Sequence, residues 1–163
     1  MMKLSHAVLV LISGLVWFAV GLGLLTLGLK LLVDPSRLAE GSYPLYSLVA
    51  PYLGRAEQIG LFFIVISLLV GYAKSKFVLS KSVQRSVKRI QGFSNPTSIA
   101  NIYSRGYYIL LGSMVLLGWS IKFFGVPNDI RGIVDVAVGA ALLNGAILYF
   151  RLAWELKGQA AKA

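Results

Sequence analysis

Four stretches of the chain are apolar almost without interruption, at 7–30, 58–73, 107–126 and 131–151. Each is close to the length at which an α-helix, rising about 1.5 Å per residue, crosses the roughly 30 Å of hydrocarbon in a bilayer. They predict four transmembrane helices. Inside them the small residues are spaced rather than scattered. Gly14, Gly21 and Gly28 recur every seven residues, as do Gly132, Gly139 and Ala146, while Ser67 and Gly71 are four apart. Such spacing places each set on one stripe of a helix, where backbones can approach and van der Waals contact joins helices in lipid. These stripes are the expected packing seams.

Between the second and third stretches the pattern changes. Over 74–105 the apolar residues Phe77, Leu79, Val83, Val87 and Ile90 fall on one face at helical spacing, and Lys76, Lys81, Arg85, Lys88 and Arg89 occupy mostly the remainder. That is a basic amphipathic helix, ending near Gly92, whose expected role is anchoring to anionic lipid headgroups, with docking of an acidic partner as the alternative. The connection before the second stretch carries Pro35, Pro44 and Pro51 with Tyr43, Tyr46 and Tyr52. Tyrosine at that density suits the headgroup region, so 47–53 reads as an ordered loop lying on the membrane.

A weak internal duplication accompanies this layout. A shift of 92 lays Leu24, Leu25, Lys30 and Pro35 on Leu116, Leu117, Lys122 and Pro127, and a shift of 74 aligns Leu68, Leu69 and Gly71 with Leu142, Leu143 and Gly145. Two parallel hairpins would result. The expected architecture is one all-α integral membrane domain, 1–163, with four spans in two hairpins and the basic helix between them.

Composition agrees: 57% of residues are hydrophobic, 13% are charged, and the mean hydropathy is +0.75. There is no cysteine and one histidine, His6. Disulfides, thiolate catalysis and cysteine-ligated metal are thereby excluded, and no metal site or cofactor is predicted, a bound lipid or pigment being left open. The net charge of +10 is accounted for by position. Lys3, Lys74, Lys76, Lys81, Arg85, Lys88, Arg89, Arg105, Arg151, Lys157 and Lys162 lie on one side; Lys30, Arg37, Arg55, Lys122 and Arg131 lie on the other. The positive-inside rule then places both termini and the basic helix in the cytoplasm. Nucleic acid is not implied, because no aromatic interleaving accompanies the charges.

Chemistry inside the apolar stretches is sparse. Lys30 closes the first span and reaches the interface by snorkelling. Asp135 and Lys122 each lie about one turn inside adjacent spans, where a Lys122–Asp135 ion pair would pin the hairpin, and an intramembrane carboxylate is also a candidate for proton or cation response. Asn144, nearer the middle, projects from the opposite face and reads as a hydrogen-bonding glue between helices, contributing about 0.6 kcal/mol. No nucleophile elbow, zinc-protease motif, phosphate loop or dinucleotide fingerprint occurs, so an enzyme is not expected. The function expected is that of a non-catalytic subunit, scaffold or assembly factor of a complex in the cytoplasmic membrane. The alternative is a small-solute or ion transporter or channel formed by a homo-oligomer.

Overall fold

The computed structural model describes residues 3–34, 43–94, 97–98, 112, 116, 120 and 123–160. They form helices α1 (His6–Val33), α2 (Pro44–Leu53), α3 (Ala56–Lys74), α4 (Ser80–Gln91) and α5 (Asn128–Ala160), with a single π-helical turn, Ser75–Leu79, joining α3 to α4. The fold is all-α but for a two-residue antiparallel ladder, β1 (Lys3–Leu4) on β2 (Thr97–Ser98), which ties the N-terminus to the segment beyond α4.

Among the described residues, three helices are long and apolar enough to cross a membrane: His6–Val33, Ala56–Gln91 and Asn128–Gln159. They contain three of the four expected spans; the first is extended by a few residues, while the second runs on through the π turn and α4 to Gln91 and the last continues to Gln159. The expected third span, 107–126, lies almost wholly outside the described residues, so the sequence-based count of four and the pairing into hairpins are not decided by the fold. The residues 47–53 are not a loop. They form most of α2, which Pro44 opens at a position where a missing N–H costs nothing. Gly54 ends it at φ 76° and donates its N–H to Ala50 O at 2.9 Å, a conformation that suits glycine.

The centre of the bundle is the antiparallel pair α1 and α5, matched along its length by glycines. A Cβ on Gly139 would lie 2.6 Å from Leu25 N and 2.8 Å from Gly21 O; one on Gly28 would lie 2.7 Å from Val136 N and 2.8 Å from Gly132 O. Further along, Gly14 faces Tyr149 and Phe150, and Gly145 takes the Trp17 ring. Helix α3 crosses α5 where Gly71 meets Ala137 O and Ala140, and meets α1 where Gly60 lies under Leu32 O. With so little side chain between them, the three helices hold one another by close backbone contact, the means available in lipid.

Two apolar clusters lie at the two ends. One joins Leu32, Tyr46, Ile59, Phe63 and Val136. The other joins Leu9, Val10, Trp17, Leu142, Ala146, Tyr149 and Ala153 to Val83, Val87 and Ile90 of α4. The basic amphipathic helix is therefore packed on the bundle through Val83, Val87 and Ile90. It continues α3, and its apolar stripe is spent on the ends of α1 and α5.

Candidate functional site

On α4, Val83, Val87 and Ile90 are buried to 0%, 4% and 1% exposure. Lys81, Arg85, Lys88 and Arg89 are all exposed, and at 100° per residue they fall on the half of the helix opposite that stripe. Among the described residues none of the four is in an ion pair. Lys76 is exposed one turn earlier, in the π turn, where its carbonyl accepts a 2.5 Å bond from Ser80 Oγ. The result is a cationic face held in a fixed orientation by the packing behind it.

At the other end, α2 is fastened over the end of α1. Tyr43 Oη donates to Leu31 O at 2.9 Å and Tyr46 Oη to Leu32 O at 2.5 Å, so two carbonyls that the end of a helix leaves without partners are satisfied. Asp129, fully buried, accepts from Ile130 N at 2.7 Å in its own first turn and from Leu45 N of α2 at 2.6 Å. One carboxylate thus serves the N-termini of α5 and α2 together, where the helix dipoles favour negative charge. Burial foremost, and then Tyr43 and Asp129 nearby, push the Tyr46 phenol up to about 12.

The polar residues singled out within the spans are dispersed. Asp135 is 8% exposed and its Oδ2 lies 3.7 Å from Arg131 Nε, one turn back on the same helix. Lys122, its expected partner, lies outside the described residues. Asn144 is half-buried and donates to Ala140 O at 3.0 Å, a bond within its own helix rather than between helices. Lys30 is exposed in the last turn of α1. Ser67 is buried and donates to Phe63 O at 2.6 Å, and Ala146 is buried in the cluster at the α4 end. The structure brings the glycines Gly14, Gly21, Gly28, Gly132 and Gly139 to the α1–α5 contact and Gly71 to the α3–α5 contact. It does not gather Lys30, Asp135 and Asn144 into one site.

Among the described residues no group of histidine, cysteine or carboxylate side chains is placed to hold a metal ion. The described residues line two grooves that are open to the surroundings. One, of about 380 Å³, runs between α3 and α5, and the other, of about 320 Å³, lies between the start of α1 and the end of α5. The chain matches no family model, no curated protein and no solved structure.

Proposed function

We propose that the protein is a non-catalytic subunit or assembly factor of a complex in the cytoplasmic membrane, and that α4 is the surface by which it meets an acidic region of its partner. The run 107–126 is the fourth span in this reading, and both termini and α4 face the cytoplasm, as the distribution of lysine and arginine favours.

One observation carries the reading: the apolar stripe of α4 is already buried within the chain. A surface anchor of the amphipathic type holds by sinking that stripe into lipid. Here it is unavailable, and what α4 presents outward is charge on a rigid backing. Cations so fixed suit a complementary surface, since orientation and choice of partner come from charge complementarity. The transport alternative draws no comparable support, because Asp135 is engaged by Arg131 and Asn144 by Ala140 O.

Native mass spectrometry of the protein released gently from its own membrane tests this. A heteromeric mass is expected, and it should disappear when Lys81, Arg85, Lys88 and Arg89 are all changed to glutamate while the protein remains folded and inserted. A wild type that is only a monomer or a closed homo-oligomer, or a complex indifferent to the charge reversal, would refute the proposal.

A further inference from the structure

The groove between α3 and α5 is apolar along its walls, with Ile66, Val70 and Val78 on one side and Val134 and Ala137 on the other. Among the described residues its one charged lining residue is Lys74, the last residue of α3, which is exposed and in no ion pair with any of them. Ser67 also lines it, but its hydroxyl is already donated to Phe63 O. The Gly71–Ala137 crossing forms the floor, because a side chain at position 71 would stand where the two backbones meet.

From Ile66 to Leu79 the groove follows about 20 Å of helix, comparable with the roughly 15 Å depth of one hydrocarbon leaflet. At about 380 Å³ it is too narrow for another helix, whose diameter with side chains is about 10–12 Å, and falls in the size range of small-ligand sites. We infer that it seats one acyl chain of an anionic phospholipid, with the headgroup phosphate drawn to the Lys74 ammonium. The lysine stem is long enough to carry its charge toward the headgroup level while its methylenes line the groove. This rests on the three helices lying in a bilayer and on 107–126 leaving the α3–α5 face open, and holds whatever partner α4 meets.

The test uses the full chain, stripped of endogenous lipid in detergent and titrated separately with phosphatidylglycerol and phosphatidylcholine of the same chains, with bound lipid counted by native mass spectrometry. One tightly held lipid is expected, phosphatidylglycerol being favoured about fivefold, the contribution of one lysine near an anionic headgroup. Lys74→Gln should abolish the preference but keep the bound lipid. Val70→Trp, and independently Val78→Trp, should remove the bound lipid by filling the groove; both positions are exposed, so folding is expected to survive and is checked by an unchanged unfolding midpoint. An unchanged headgroup preference in Lys74→Gln overturns the inference. So does lipid retention in both tryptophan variants, or occupation of the groove by a second copy of the chain, detected as a dimer that both tryptophans disrupt.

Discussion

Adding one methyl group at Gly139 tests the α1–α5 seam most directly. In Gly139→Ala the new Cβ would stand 2.6 Å from Leu25 N, 2.8 Å from Gly21 O and 3.0 Å from Leu25 Cα. All three are backbone atoms, so no side-chain rotation relieves the contact. Restoring 3.4 Å, where ordinary contact begins, requires the helices to part by about 0.8 Å at this point, and a gap of that size already forfeits a quarter to a half of the attraction between facing atoms. Overpacking of this kind costs about 1–3 kcal/mol. Against it stands the gain of about 1 kcal/mol when alanine replaces glycine in a helix. Gly23→Ala separates the two effects, since a Cβ at Gly23 meets nothing within 4 Å and only the propensity gain applies. In reversible unfolding of the detergent-solubilised protein, Gly139→Ala should therefore fall about 1–3 kcal/mol below Gly23→Ala. Gly21→Ala, whose nearest contacts are 3.0 Å, should lie between them. If Gly139→Ala is as stable as Gly23→Ala, the helices do not approach as closely as the seam requires.

Three further outcomes are expected. Asp129→Ala removes two hydrogen bonds to a buried carboxylate and should destabilise by about 1.5–3 kcal/mol per such bond at most, with faster hydrogen exchange at the Leu45 and Ile130 amides; protection unchanged at Leu45 would rule out the link between α2 and α5. Ile90→Ala should cost about 2–5 kcal/mol whereas Phe77→Ala, at a side chain 69% exposed, should stay within about 0.5 kcal/mol; equal effects would mean that α4 is not packed on the bundle. For Tyr46, the folded phenol ionises near pH 12 rather than at its ordinary 10, so the stability it contributes is complete below pH 10 and is lost as pH rises through 12. Protease cleavage within α2 should rise across that interval, and the tyrosinate absorbance lost in Tyr46→Phe should belong to the most alkaline part of the titration; a Tyr46 that ionises with the exposed tyrosines contradicts the packing described.

The glycine seams were legible because a helix repeats its faces: a spacing of seven in both the first and last spans announces two stripes of small residues, and the fold sets those stripes against each other. That they meet antiparallel, Gly21 beside Gly139 and Gly28 beside Gly132, is not written in either stripe alone. The amphipathic character of 80–91 was equally plain, but a buried stripe looks the same whether lipid or protein covers it, and only the fold shows Val83, Val87 and Ile90 against α1 and α5. Helix α2 had a readable signal in Pro44, a residue fit to open a helix, which the tyrosines and Pro51 obscured. Asp129 had none, since its second partner, the Leu45 amide, is 84 residues away and no local pattern encodes it. Asp135 drew attention by being charged among apolar neighbours, and its companion proved to be the nearest arginine on its own helix.

The π turn between α3 and α4 has a consequence for how the chain tolerates change in length. At about 100° per residue, an unbroken α-helix would centre Val83, Val87 and Ile90 about 165° from Ser67, on the far side from the bundle. A π turn accommodates one extra residue, which rotates everything beyond it back by about 100° and brings the three side chains close to the direction of Gly71 and Ser75. The turn at Ser75–Leu79 therefore works as a phase correction between two registers. Deleting a single residue within it should let the helix run on in α form with both stripes still aligned. The same deletion a few residues later, inside α4, would turn Lys88 toward the apolar cluster and Ile90 toward the surroundings.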